Sequence, residues 1–218
     1  MRAAGYHAGA LADNAQSANG WQAGRTPALT AFAGAPGDLL RLLAHRAGGG
    51  IVGHSMQVAR GAGRVAHALG LSARHHELVA LAGLLHDVGK SLLPRRILEK
   101  PGPLDEREWA AVRRHPAAGA GLLCGCGLAE VAAWVLAHHE RPDGFGYPNG
   151  LTADQIPLEA RIVAVADAYD AMIAERSYRP RLEPREAVSE LRRAAGSQLD
   201  AAIVDAFLAT APRRHRAA

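Results

Sequence analysis

The 218-residue chain has two cysteines and two lysines. The cysteines, Cys124 and Cys126, lie one residue apart. Two thiols cannot complete a structural zinc site alone, and a disulfide across one residue would be strained. They read as reduced thiols of an intracellular protein. The N-terminus lacks a basic start followed by an apolar run, so no secretory signal is expected. No apolar run reaches the roughly 18 residues a membrane span needs. A cytoplasmic protein with no membrane partner is therefore expected. The excess of basic over acidic residues is small, 25 against 21. That suits a phosphorylated ligand but does not argue for nucleic acid, and no basic stretch interleaved with aromatics is visible. Because nearly every basic residue is arginine, the setting of Lys90 is informative.

Apolar residues make up 49% of the chain, enough for the core of one domain. Residues 1–45 read as a loosely ordered or short helical N-terminal segment, rich in Ala and Gly, with a helix near Asp38–His45. Gly48-Gly49-Gly50 then breaks the pattern. From His54 onward the spacing is helical. One helix ends at Gly70, although Gly61 and Gly63 each weaken its propensity by about 1 kcal/mol. Leu78–Leu85 is apolar around its whole circumference, as in a buried helix. Asp105 and Glu108 form a capping-box start for a helix to about His115. A glycine-rich loop is expected between His115 and His138, then helices over Leu128–His139, Leu158–Ile173, Pro184–Ala195 and Asp200–Thr210. The expected fold is all-α, one domain of seven or eight helices over residues 46–211, followed by a basic tail at 212–218.

The apolar helices share one peculiarity: each runs into ionisable residues. Leu84-Leu85 leads to His86-Asp87, Leu136-Ala137 to His138-His139, and Val165-Ala166 to Asp167. Burying such groups unpaired costs several kcal/mol each, and convergence on a cation removes that cost. Of eleven histidines, His7, His45, His67, His75, His76 and His215 sit in polar or terminal contexts and receive no role. His54, His86, His115, His138 and His139 join Asp87 and Asp167. Seven donors are too many for one ion with an open position and suit two ions sharing a carboxylate.

The chain resembles the HD superfamily of metal-dependent phosphohydrolases, and within it the HD-GYP subgroup. The likeness runs from about His54 to Leu208. It rests on His86-Asp87-Val88-Gly89-Lys90, His115-Pro116, His138-His139-Glu140-Arg141-Pro142-Asp143-Gly144-Phe145-Gly146-Tyr147-Pro148, Asp167-Ala168-Tyr169-Asp170, and Arg176, Tyr178 and Arg179. The resemblance implies a helical domain that hydrolyses cyclic dinucleotides, chiefly cyclic di-GMP, with iron or manganese. It implies His54, His86, Asp87 and Asp167 as ligands of a first metal. Asp87 would bridge to a second, completed by His115, His138 and His139. Lys90 would be catalytic, meeting a phosphate oxygen. Tyr147, Arg176 and Arg179 would contact substrate, and Asp170 would orient a ligand. The loop around Tyr147 would wall the site and offer a docking surface for a signalling protein. Arg95, Arg96, Arg113, Arg114, Arg192 and Arg193 are expected on solvated faces.

One departure matters. Trinuclear members carry a glutamate four residues before the first histidine, where this chain has Gly50. Two metals rather than three are therefore expected, with a linear dinucleotide such as pGpG as product. No receiver or cyclase domain is recognised, so regulation is expected through the N-terminal segment, the Tyr147 loop or another chain.

Overall fold

A computed structural model describes residues 36–47, 49–174 and 181–210. The expected N-terminal segment up to residue 35, Arg176, Tyr178, Arg179 and the tail at 212–218 lie outside the described residues. The described chain is helical, and its extended pairings are isolated bridges, Asp143 with Thr152 and Ala195 with Leu199.

Helix α1 (Pro36–Ala47) sends Leu39 and Leu43 fully into the core. Helix α2 (Gly49–Ala68) packs against α3 (Ala73–Leu85), α8 (Leu158–Ile173) and α10 (Ala201–Thr210). Val58, Ala62, Val65 and Ala66 of α2 are completely buried. Complete burial of a side chain the size of Val contributes about 1.5–3 kcal/mol. The glycines of α2 serve these contacts. A Cβ on Gly61 would lie 3.3 Å from Ala166 of α8, and one on Gly63 would lie 3.2 Å from Ala80 of α3. The helix-propensity cost thus accompanies close helix approach. Gly70 ends the helix with φ +77, a conformation other L-residues resist.

A 3-10 turn, η1 (Val88–Leu92), follows α3, and α4 (Arg95–Leu98) is a single short turn. The capping box at Asp105 opens α5 (Glu106–Val112) with both reciprocal hydrogen bonds present. Two expectations change here. The helix stops at Val112 rather than near His115, and the segment expected as a loop is largely helix α6 (His115–Gly125). Pro116 explains the break. In a continuous helix its ring would collide with the carbonyl of Val112, and it has no N–H to offer that carbonyl. In the first turn of a new helix neither problem arises. Helices α7 (Ala129–Ala137) and α9 (Pro184–Ala194) complete the bundle.

Candidate metal centre

Three of the histidines are oriented by one device. His86 Nδ1 donates to Gly83 O at 2.8 Å, His115 Nδ1 to Val112 O at 2.8 Å, and His138 Nδ1 to Val135 O at 2.6 Å. In each case the acceptor is among the last carbonyls of a helix, which lack a partner within the helix. For His115 the free carbonyl exists because Pro116 ends α5. A carbonyl can only accept, so Nδ1 carries the hydrogen and Nε2 of a neutral ring is a bare lone pair. All three Nε2 atoms face the donor cluster, and the three rings are essentially buried.

Asp87 sits where α3 gives way to η1. It is 2% exposed. Its Oδ2 accepts from Lys90 Nζ at 2.6 Å and lies 3.3 Å from His86 Nε2. Its Oδ1 lies 3.2 Å from His115 Nε2. Gly89 permits this approach. A Cβ there would stand 2.0 Å from the His115 carbonyl oxygen and 2.6 Å from Gly119 N. Lys90 lies in the 3-10 turn and turns back onto Asp87.

The donors fall into two groups that share Asp87. One holds Asp87, His115, His138 and His139; the other holds His54, His86 and Asp87. Asp167 adjoins the second, with Oδ1 3.0 Å from His54 Nε2 and 3.7 Å from His86 Nε2. His54 Nδ1 meets Asp170 Oδ2 at 2.6 Å. The seven residues thus lie together around one pocket.

The electrostatics differ between the groups. Burial opposes a charge on His54, but Asp167 and Asp170 outweigh it and raise its pKa to about 9. Burial likewise opposes charge on His86, and Asp87 more than offsets it. Burial would raise the carboxyls of Asp87 and Asp167, yet adjacent cations hold both low: His86 and Lys90 for Asp87, His54 and His86 for Asp167. His138 is driven well below its usual value by burial and by the other imidazoles, and burial takes His139 down to about 3. Neutral imidazoles and ionised carboxylates are the forms that ligate divalent cations.

Two atoms decide whether a metal fits. His86 Nε2 and Asp87 Oδ1 are buried without a hydrogen-bond partner. Such atoms typically cost about 1–3 kcal/mol each. An inward-aimed imidazole and carboxylate donor set, with these two atoms left without a hydrogen bond, fits divalent cations.

A cleft of about 330 Å³ opens onto this pocket, lined by His138, His139, Asp167, Tyr147, Phe145 and Arg113 among others. The segment 140–151 forms one wall. Buried Glu140 holds it down: its Oε1 accepts from Asn149 N at 2.6 Å and its Oε2 from Leu151 N at 2.9 Å. Gly146 crosses so close to Arg141 N that a Cβ would stand 2.4 Å away. The Tyr147 ring lies against His139, with centroids 4.8 Å apart. Phe145 is 82% exposed at the tip.

Two residues escape a reading of the sequence. Glu140 stands within the recognised motif without a role there; an acid four residues before Gly144, at the start of the turn-forming segment, is its signal. Arg113, expected on a solvated face, lines the cleft, with Cζ 5.7 Å from the Tyr147 ring centroid. Its neighbour Arg114 gave no means of telling the two apart.

The HD domain family model matches residues 39–203. The cyclic di-GMP phosphodiesterase response regulator RpfG of Xanthomonas campestris pv. campestris is 45% identical over 150 residues, 67% of this chain and 40% of that protein. The 3'3'-cGAMP-specific phosphodiesterase 2 of Vibrio cholerae is 39% identical over 158 residues, 71% of this chain and 30% of that protein. The chain thus spans less than half the length of these relatives. Among solved structures, the HDG"Y"P protein Bd1817 of Bdellovibrio bacteriovorus shares the fold, with a TM-score of 0.60 at 22% identity over 72% of this chain and 51% of that one. No described helix is long and apolar enough to cross a membrane.

Proposed function

We propose that this chain, which belongs to the HD domain family, is a metal-dependent phosphodiesterase that opens a cyclic dinucleotide to its linear form. The observation that carries the reading is the pair of donor groups sharing Asp87, which holds unpartnered inward-facing atoms at the base of an accessible cleft. The activities of the Xanthomonas and Vibrio relatives support cyclic di-GMP or 3'3'-cGAMP as the substrate.

Two divalent ions are the number this donor set suits. His54, His86, Asp87 and Asp167 would hold one; Asp87, His115, His138 and His139 would hold the other. Mixed imidazole and carboxylate ligation suits iron or manganese. When bound, such ions supply charge for the phosphate oxygens and acidify water enough to attack phosphorus at neutral pH.

The chain's own residues do the rest. Asp87 fixes the geometry between the two groups. Lys90, held on Asp87, orients that carboxylate and offers its ammonium to a non-bridging phosphate oxygen, where charge grows during attack. Asp170 fixes the ring of His54. Tyr147 walls the cleft, and Arg176 and Arg179 supply further substrate contacts. Gly50 offers no third-metal donor, which favours a linear dinucleotide as the main product. The domain occupies about residues 46–211 and works in the cytoplasm, with Phe145 and the rest of its loop available to a signalling partner.

The test incubates metal-replete protein with cyclic di-GMP and with 3'3'-cGAMP and resolves the products by chromatography, with Asp87→Ala as control. Linear dinucleotide from at least one substrate, absent in the control, is expected. No product from either at full metal occupancy, or product that persists in Asp87→Ala, would overturn the reading.

A further inference from the structure

We infer that Arg113 is the cleft's receptor for the second phosphodiester of a bound cyclic dinucleotide, the one that is not cleaved. The inference rests on the proposed function and adds a binding residue to it.

The backbone at this position is fixed by the break that presents His115. Arg113 caps α5, its N–H donates to Trp109 O at 2.9 Å, and His115 opens α6 two residues later. One rigid turn therefore delivers an imidazole to the donor cluster and a guanidinium to the cleft mouth. The side chain is exposed yet lies over Tyr147, 5.7 Å from the ring centroid, and Tyr147 in turn lies against His139.

Charge pairing separates Arg113 from its neighbours. Lys90 is paired with Asp87 at 2.6 Å, Arg141 with Asp143 at 2.5 Å, and Arg161 with Asp200 at 2.7 Å. Among the described residues, no carboxylate forms an ion pair with Arg113. An aromatic face attracts the cation without using its N–H donors. Those donors remain available to an anion entering the cleft, and a planar guanidinium suits the two non-bridging oxygens of a phosphodiester.

The substrate has such an anion to place. A cyclic dinucleotide carries two phosphates in one covalent ring. When one lies at the donor cluster, the ring holds the other away from it, and its charge needs a counterpart within the cleft. A simple diester with a single phosphate makes no such demand.

Steady-state kinetics of metal-replete wild type, Arg113→Ala and Arg113→Lys, on cyclic di-GMP and on bis(p-nitrophenyl) phosphate, test this. For Arg113→Ala the KM for cyclic di-GMP should rise on the order of tenfold, as for loss of one charge-assisted contact. Its kcat should stay within about twofold, since the contact is uniform between ground and transition states. The single-phosphate diester should be cleaved with unchanged kcat/KM, and Arg113→Lys should recover part of the loss. Wild-type KM for cyclic di-GMP in Arg113→Ala, or equal losses on both substrates, would overturn the inference while leaving the proposed function standing. A wild type that cleaves the small diester but neither binds nor cleaves a cyclic dinucleotide would remove both.

Discussion

His115 Nε2 lies 3.4 Å from His138 Nε2. Both Nδ1 hydrogens are committed to backbone carbonyls. In neutral rings both Nε2 atoms are bare lone pairs, an arrangement that a cation accepting both would relieve. Helix ends far apart in sequence impose this geometry: α5 and α6 on one side, α7 on the other. The protein presents donors where it would be cheaper to present hydrogen bonds.

Gly89 is the position at which a single methyl group should do most damage. Its Cβ would overlap the His115 carbonyl oxygen and the backbone at Gly119. Gly89→Ala should force η1 away from α6 and part Asp87 from His115. Thermal or denaturant unfolding should show a loss of about 1–3 kcal/mol or more, typical of overpacking against backbone. Metal content should fall with it. An unchanged midpoint would contradict the close approach.

Asp170 acts through His54, which it meets at 2.6 Å. Asp170→Asn should leave the fold intact, because the amide fills the same volume. Removing the carboxylate loosens the ring and lowers its basicity, so metal affinity should weaken by about 10- to 100-fold. Competition with a metal-chelating dye measures this; affinity equal to wild type would assign Asp170 no positioning role.

Metal uptake should release protons. Without metal, His54 has carboxylates at both ring nitrogens and a pKa raised to about 9. At pH 7 it is protonated, and a metal at Nε2 must displace that proton. The sign follows: apparent affinity should rise as pH rises toward about 9 and then level off. Calorimetric titration with manganese in two buffers of different ionisation enthalpy gives the proton count directly. Heats independent of the buffer would contradict the charged state of His54.

Part of the site could be read along the chain because His86-Asp87 and His138-His139 directly follow apolar helices, whereas Asp167 and His54 lie within theirs. A carboxylate or imidazole after Leu84-Leu85 or Leu136-Ala137 has no water to turn to, so convergence follows from local pattern alone. The break at Val112 was harder. Apolar spacing continues toward His115, and Pro116 acts on a carbonyl four residues back, so the effect surfaces before its cause. The roles of Gly89 and Arg113 depend on tertiary neighbours. Gly89 resembles any turn glycine until His115 arrives above it, and Arg113 resembles Arg114 until Tyr147 folds beneath it. The all-α class was plain from helical spacing throughout, but α6 was hidden by Gly119, Gly121 and Gly125, which lower helix propensity; of these, Gly119 lets η1 pack close, since its Cβ would stand 3.2 Å from Gly89 N.

The two donor groups sharing Asp87 should each take an ion. The most direct test is metal stoichiometry by elemental analysis after anaerobic reconstitution with iron, or reconstitution with manganese, and removal of the excess. Wild type should hold about two ions per chain and His138→Asn about one, as expected for a two-metal site losing a ligand on one side. One ion or none in a folded wild type would contradict this.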